Sequence, residues 1–456
     1  MKESQPSKFG LPSVSRRSFV KSVAGAGAGL ALVQPTWVKA AQSKEQVNVA
    51  LIGCGVQGTI LLNWMLRIPG VRIKAICDIF EFNRVRASGL CRKANQGVAD
   101  YMDYQEMLQN ENLDAVVIAT PDFVHAEMTN ACLEAGLHVY CEKEMSNDIE
   151  KARSMVLTAR KTGKLLQIGH QRRSNPFYQH AYRLTNEAKV FGAITHVNGQ
   201  WNQAKPIDIG WPKRYELDEA TLNKYGYETM GQLRNWRWFR KFAGGPMADL
   251  GSHQVDIFNW FLNAVPKSVY AIGSNARAII QGREENASFT PECEDNVMCL
   301  YEWDTPEGVV RGFYQVILSS SHGGFWESFM GTQGSFVISE ITTRNAMFRE
   351  ARAPKQDWES EAEKIEVGGA EAMNFDPLKS RKAQGKMDEV ARQLEESLDK
   401  PVHQVHLENF FAAIRDGEKL TCPAEVGFET AVTVLKVNEA LRTGKKVEFS
   451  PNEFKV

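Results

Sequence analysis

The chain has almost no excess charge of either sign. Its 456 residues include 54 Lys and Arg against 55 Asp and Glu, which gives a formal net charge of -1 at pH 7. A protein that binds nucleic acid or an anionic membrane through its overall field carries a clear basic excess. The charge balance therefore argues against a nucleic-acid partner and favours a small, neutral substrate.

Paired metal or redox cysteines are also missing. None of the eight cysteines has the CxxC spacing that structural zinc sites and dithiol redox sites use. His403 and His406 form an HxxH pair without a third ligand in the sequence pattern, so we expect no metal site. Several cysteines lie in apolar, strand-like runs, and we interpret them as small buried hydrophobic residues rather than as disulfides.

No hydrophobic run near the N-terminus is long enough to cross a membrane. Residues 23–33 are apolar over about half the required length, and no cysteine follows that could carry a lipid. Arg16 and Arg17 precede this run, which is typical of a twin-arginine export signal. The sequence predicts a signal peptide over 1–40, a mature chain from about Ala41 without a stable membrane anchor, and export to the periplasm or elsewhere by the twin-arginine machinery.

A glycine-rich turn follows the first strand-like run of the mature chain. Residues 46–52 lead into a GxGxxG pattern, after which come a helix-like stretch at 60–66 and a second strand that ends at Asp78. Strand, glycine turn, helix, strand and acid in this order are typical of a dinucleotide-binding unit. The turn residues predicted to bind the cofactor are Gly53, Gly55, Val56, Gln57 and Gly58.

The acid at the end of the second strand indicates which dinucleotide binds. Asp78 is predicted to bind the ribose hydroxyls and to repel a 2′-phosphate, so NAD is favoured over NADP. Arg84 and Arg86 are near enough in sequence to weaken this preference, but we assign them to the solvated face of a helix.

Strands and helices continue to alternate as far as residue 170. This rhythm predicts a doubly wound parallel sheet, in which ligands bind at the carboxyl ends of the strands. Runs at 194–201 and 309–317 instead alternate like half-buried antiparallel strands. The predicted fold is α/β, a Rossmann domain followed by an α+β domain with an open, mainly antiparallel sheet. Four residues at strand ends are predicted to contact the cofactor: Thr120, Pro121, Glu142 and Lys143.

One segment of the second domain combines two titratable residues. Asp249 and His253 lie four apart within 244–256, so on a helix they share a face. Aromatic residues cluster ahead of this segment; we expect most of them to fill the core, and as a group they favour a carbohydrate ligand. They include Trp201, Trp211, Trp236 and Trp238.

Taken together, these motifs resemble the glucose-fructose oxidoreductase / inositol dehydrogenase (Gfo/Idh/MocA) family over essentially the whole mature chain. The resemblance implies a nicotinamide-dependent oxidoreductase acting on a sugar or polyol, and a homo-oligomer. It makes His253 the general acid/base, Lys143 a positioning and proton-sharing group, and Asp249 the carboxylate that orients substrate hydroxyls. The family usually has proline where this chain has Glu144, so the Lys143-Glu144 peptide is either trans, with Lys143 shifted, or cis.

The expected organisation is a Rossmann domain over 44–170 and a substrate-binding and oligomerisation domain over 171–456, with a charged insertion at about 345–400. Export in the folded state implies that NAD is loaded beforehand and stays tightly bound. Such a cofactor is recycled within the site. Two alternatives stay open: an NAD-dependent glycosidase or epimerase that oxidises its sugar transiently, and a non-catalytic sugar-binding protein.

Overall fold

The computed structural model describes residues 46–205, 208–276, 289–356, 359, 362–367, 369–374, 376 and 395–456. The predicted export signal over 1–40 lies outside these residues. No helix within them is long and apolar enough to cross a membrane.

The N-terminal part is a six-stranded sheet with the order β3-β2-β1-β4-β5-β6, and all its strand pairs are parallel. The strands β1 and β4 are apolar almost throughout because helices cover both faces of the sheet. Its elements are β1 Val47–Ile52, α1 Val56–Met65, β2 Val71–Cys77, α2 Glu81–Lys93, β3 Ala99–Tyr101, α3 Tyr104–Asn110, β4 Ala115–Ile118, α4 Asp122–Glu134, β5 His138–Cys141, α5 Ile149–Thr162 and β6 Leu166–Ile168.

The second part is built on a ten-stranded sheet with the order β14-β15-β13-β12-β11-β7-β10-β9-β8-β16. Among its described pairings, β7 and β10 are parallel and the others antiparallel. The elements are α6 Pro176–Tyr182, β7 Ile194–Asn202, α7 Glu219–Lys224, α8 Met230–Arg234, α9 Ser252–Leu262, β8 Pro266–Ser274, β9 Asn296–Thr305, β10 Gly308–Ile317, β11 Phe325–Gly331, β12 Gly334–Ile338, β13 Ala346–Arg349, β14 Lys364–Val367, β15 Ala370–Asn374, α10 Val402–Asp416, α11 Ala424–Thr443 and β16 Val447–Glu448.

The predicted fold class is confirmed. Buried and exposed residues alternate along β9 and β10, as expected for a sheet with one face packed on the core. Three helices end at a glycine in the left-handed conformation, a common helix stop: Gly163, Gly417 and Gly444.

The C-terminal helices pack back onto the N-terminal sheet. Helix α10 buries three side chains completely: Leu407, Phe410 and Phe411. They belong to the same hydrophobic cluster as Val47, Val49 and Leu51 of β1. Helix α11 packs against α5. The last part of the chain therefore helps to hold the N-terminal sheet.

Two smaller expectations also have an outcome. All eight cysteines are buried and unpaired, which confirms their interpretation as small core residues. Of the charged insertion, the described residues include β14 and β15, which pair as a hairpin at the edge of the large sheet. That stretch is therefore not merely a solvated loop.

Candidate active site

A cavity of about 810 Å³ runs along the carboxyl ends of β1, β2, β4 and β5 and reaches the start of α9. Every residue predicted from the sequence to form the site lines it, except Gly58. The lining residues in this set are Gly53, Gly55, Val56, Gln57, Asp78, Thr120, Pro121, Glu142, Lys143, Asp249 and His253.

The glycine turn has the shape that a dinucleotide needs. A Cβ on Gly53 would lie 2.5 Å from the Ala119 carbonyl oxygen, and one on Gly58 would lie 1.8 Å from the Gly53 carbonyl oxygen. A Cβ on Gly55 would instead meet open space, at the start of α1. The helix start and its dipole thus face a gap that a pyrophosphate fits. Gly58 contributes by close packing rather than by lining the cavity.

The carboxylate of Asp78 is held by the protein at the cavity wall. It accepts hydrogen bonds from the backbone N–H of Cys54 at 2.7 Å, from that of Phe80 at 2.8 Å, and from Asn83 Nδ2 at 3.0 Å. Burial raises the pKa of this carboxyl group, although the hydrogen bonds oppose the shift. Asp78 therefore both fixes the turn and borders the space where a ribose would lie.

The assignment of the two nearby arginines to a solvated helix face is wrong in one respect. Arg84 Nη1 donates to the Asp78 carbonyl oxygen at 2.7 Å, and its Nε pairs with Asp100. Arg86 is exposed, yet its Nη2 donates to the Gly55 carbonyl oxygen at 3.1 Å. Both side chains reach back towards the glycine turn because α2 packs beside it.

Lys143 and Asp249 come together from different domains. Lys143 Nζ lies 3.9 Å from Asp249 Oδ1 and also donates to the Asp249 carbonyl oxygen. The Lys143-Glu144 peptide is cis. The lysine projects from the end of β5, whereas Asp249 lies on the π-helical turn Met247–Gly251 that runs into α9.

Two further cations hold the Asp249 carboxylate. Lys205 Nζ lies 3.3 Å from Oδ2, and Arg237 Nε lies 2.9 Å from Oδ1. Burial alone would raise the pKa of Asp249, but Lys205, Arg237 and Lys143 together hold it well below its usual range. Asp249 is thus ionised at any physiological pH. We call Lys143, Lys205, Arg237, Asp249 and His253 the substrate end of the cavity.

His253 is packed so that its ring has a fixed orientation. The Trp201 ring stacks on it with centroids 5.5 Å apart and planes 23° apart. Its Nδ1 is buried and has no hydrogen-bond partner among the described residues, which leaves Nε2 for the cavity. Burial, reinforced by the charges of Lys143 and Arg172, holds the pKa of His253 well below its usual value. The imidazole is therefore neutral at pH 7.

Asp122 is a lining residue that the sequence analysis missed. It is 4% exposed, and burial raises the pKa of its carboxyl group to about 7, against the opposing charge of Lys143. Its position directly after Thr120 and Pro121 was the available signal. Lys205 and Arg237 were missed as well; neither belongs to a motif, and only the fold brings them to Asp249.

The tryptophan cluster and the HxxH pair each split between different surroundings in the structure. Trp236 and Trp238 are buried in the core, whereas Trp201 stacks on His253. His403 lines the cavity, but His406 is buried and contacts Ser174 and the Ile168 carbonyl oxygen. The described ranges contain no group of three or more side chains arranged to hold a metal.

Two family models match the chain. The Gfo/Idh/MocA oxidoreductase family model for the NAD-binding Rossmann fold matches residues 47–170, and the model for the C-terminal alpha/beta domain matches residues 190–449. The chain belongs to this family. It is an oxidoreductase with an NAD-binding Rossmann domain, as predicted.

The curated relatives of this chain include enzymes whose names refer to a sugar or a polyol. An uncharacterized oxidoreductase, YrbE, of Bacillus subtilis is 30% identical over 59% of this chain and 70% of its own length. An alpha-N-acetylgalactosaminidase of Bacteroides fragilis is 32% identical over 41% of this chain and 47% of its own. An inositol 2-dehydrogenase of Rubrobacter xylanophilus is 26% identical over 51% and 56%. The chain thus spans about half the length of the last two.

Solved structures of dehydrogenases share the fold. The WlbA dehydrogenase from Bordetella pertussis, in complex with NADH and UDP-GlcNAcA, superposes with a TM-score of 0.65 over 90% of this chain and 99% of that chain, at 19% identity. A levoglucosan dehydrogenase in complex with NADH and L-sorbose gives 0.66 over 90% and 100%, at 16% identity. At such identities the likeness supports the fold alone.

Proposed function

We propose that this protein transfers hydride between a tightly bound nicotinamide cofactor and a hydroxyl group of a sugar or polyol. The observation that carries the proposal is the convergence of Lys143, Asp249 and His253 at one end of a cavity that starts at the glycine turn. The names of two relatives, an inositol 2-dehydrogenase and a 1,5-anhydro-D-fructose reductase, support this substrate class.

In this proposal, three side chains have different roles at one secondary hydroxyl group of the substrate. The nicotinamide, when bound, accepts the hydride or returns it. His253, neutral at pH 7, accepts the hydroxyl proton at Nε2 and gives it back in the reverse direction. The Lys143 ammonium stabilises negative charge that develops on the reacting oxygen. Asp249, held ionised by its three cations, accepts a hydrogen bond from a neighbouring hydroxyl and so orients the ring.

The choice of NAD over NADP is part of the proposal. The Asp78 carboxylate borders the cavity and would repel a 2′-phosphate. Replacing Asp78 with Ala is therefore expected to bring the affinities for NAD and NADP closer together. Both affinities are measured on protein from which the bound nucleotide has been removed. An unchanged ratio would mean that Asp78 acts only through its bonds to the Cys54 and Phe80 amides.

The test of the proposed function starts from protein produced with its N-terminal segment intact. Denaturing extraction is expected to release nicotinamide in near-stoichiometric amount, because export in the folded state requires the cofactor to be loaded beforehand and kept. Sugars and polyols are then added one at a time while the absorbance of the bound nicotinamide is followed. Reduction by members of the panel supports the proposal. Absence of nicotinamide, or silence across the panel, contradicts it.

One relative gives weight to a second function. The alpha-N-acetylgalactosaminidase match favours an enzyme in which a sugar is oxidised transiently and the hydride returns after bond cleavage or inversion. The same experiment separates the two, because a glycosidase releases a new reducing end with no lasting reduction of the cofactor. Mass spectrometry of a glycoside panel detects that product.

We further propose that the protein is exported by the twin-arginine pathway. The support is Arg16 and Arg17 ahead of a short apolar run. Replacement of both with Lys is expected to retain the protein in the producing cells, and fractionation measures its location. Equal distribution of the native and doubly substituted proteins would overturn this proposal and leave the catalytic one untouched.

We also propose that the protein forms a homo-oligomer. Four large apolar side chains lie exposed on the outer face of the large sheet, where β8 pairs with β9. Exposed apolar patches of this kind are typical of association surfaces. The four are Tyr270, Ile272, Met298 and Leu300.

A further inference from the structure

Three cationic side chains surround one carboxylate at the substrate end of the cavity. Lys143, Lys205 and Arg237 all lie within 4 Å of the single carboxylate of Asp249, at 3.9, 3.3 and 2.9 Å. The neighbouring carboxyl group, Asp122, has its pKa raised by burial to about 7 and is only partly ionised at neutral pH. Glu142 lies on the cofactor side, where Gln57 donates to it at 3.0 Å.

Arg237 is positioned to bind a further group. Its Nε is used by Asp249, and its guanidinium carbon lies 4.3 Å from the centroid of the Trp236 ring. The stacking and the ion pair fix the plane of the guanidinium. The two Nη atoms have no partner in the described part of the chain, and the side chain, 48% exposed, lines the cavity.

A fixed guanidinium with two free N–H groups on one edge matches a planar carboxylate in a bidentate pair. A neutral sugar would leave these two N–H groups of Arg237 without a charged partner, whereas a sugar carboxylate would pair with them. Lys205 lines the same space and lies 3.3 Å from the other oxygen of Asp249.

We propose that the substrate is a sugar acid, with its carboxylate bound by Arg237. The inference rests on the proposed hydride transfer and names its substrate class. Asp249 then plays two parts: it orients a hydroxyl, and it holds the Arg237 fork towards the carboxylate.

The test uses pairs of sugars that differ only in oxidation at C6, glucose with glucuronate and galactose with galacturonate, together with glucose 6-phosphate. Reduction of the bound nicotinamide is followed as a function of sugar concentration. We expect a clear preference for the uronate of at least one pair. In Arg237→Gln, the KM for that uronate is expected to rise about 10- to 100-fold, the usual effect of losing a charge-assisted pair, with a much smaller change for the neutral sugar.

Three variants surround this measurement. Arg237→Lys keeps the charge without the fork and is expected to recover only part of the affinity. Lys205→Gln is expected to raise the same KM less than Arg237→Gln does. Arg240→Gln is the matched control, because Arg240 pairs with Glu294 at 2.7 Å and does not line the cavity. Thermal stabilisation of each variant by the uronate gives a second readout that needs no turnover.

Each outcome decides the inference. Equal losses for uronate and neutral sugar in Arg237→Gln would show that Arg237 only holds Asp249, and would overturn the sugar-acid assignment. A preference for the neutral sugars would overturn it too, and a preference for glucose 6-phosphate would replace the carboxylate with a phosphate. All of these leave the proposed oxidoreductase function standing. If no sugar of either kind reduces the cofactor, the proposed function itself fails.

Discussion

At the scale of single residues, Glu144 is the most unusual group near the site. It is completely buried, its Oε1 accepts from the Met145 backbone N–H at 2.8 Å, and its Oε2 has no partner among the described residues. Burial raises the pKa of Glu144 to about 8, although Lys143 opposes the shift. The Glu144 carboxyl group is therefore protonated at neutral pH.

Replacing Glu144 with Gln should change how stability depends on pH. In the unfolded chain this carboxyl ionises near its ordinary pKa of 4.5, and in the folded protein near 8. Unfolding thus releases a proton between these values, so the free energy of unfolding falls as pH rises through that window. Because the variant lacks this titration, its stability relative to the native protein is expected to increase by roughly 2–4 kcal/mol from pH 5 to pH 8.

Chemical denaturation at pH 5, 6.5 and 8 measures the difference. Glu150→Gln is the control, since the Glu150 side chain is 77% exposed. A constant difference between native protein and Glu144→Gln across the three values would contradict a buried, protonated Glu144.

Some site residues could be predicted from the sequence and others could not. Asp78 and His253 stand in short patterns, an acid after a strand and a pair four apart, so local spacing marked both as candidates, and the family resemblance supplied the expected role of His253. Arg237 and Lys205 contact Asp249 from 12 and 44 residues away, and the longer stretch includes α7 and α8. The periodicity of a single element does not mark such a contact, because it depends on how separate elements pack.

At the scale of elements, the turn between β1 and α1 depends on close backbone packing. In Gly58→Ala, the new Cβ would collide with the Gly53 carbonyl oxygen, which must move and take the turn with it. We expect the nicotinamide recovered by denaturing extraction to fall roughly tenfold or more. The control is Gly89→Ala, also within a helix, where a Cβ meets nothing within 4 Å.

Equal nicotinamide content in the two glycine variants would contradict the assigned role of this turn.

The strand and helix that flank the glycine turn were predictable because apolar runs and glycine residues mark them clearly. The edge hairpin of β14 and β15 was not, since its strands have only four and five residues, most of them exposed. Strand β15 also pairs with β13, which joins the hairpin to the edge of the large sheet.

At the scale of the whole molecule, the chain's last helices return to its first sheet. Leu407, Phe410 and Phe411 pack with residues more than three hundred positions earlier, a contact that sequence patterns do not reveal. The outer face of the large sheet is left without a covering layer in the described residues, and its apolar patch is the proposed oligomer surface.

A charge on that patch should weaken association. Leu300 is 56% exposed and faces Tyr270 across β8 and β9. We expect Leu300→Glu to lower the mass measured by light scattering coupled to size exclusion, because burying the new carboxylate in an interface is costly. Leu157→Glu, on α5 and 51% exposed, is the matched control. Equal masses for all three proteins would contradict this surface.

The central claim is that His253 exchanges the proton when hydride moves between sugar and cofactor. His253→Ala is expected to keep its bound nicotinamide but to lose the single-turnover rate of cofactor reduction by roughly two to four orders of magnitude. His196→Ala, on β7 and outside the cavity lining, is expected to react at the native rate. Reduction in His253→Ala at the rate of the native protein would contradict the catalytic assignment.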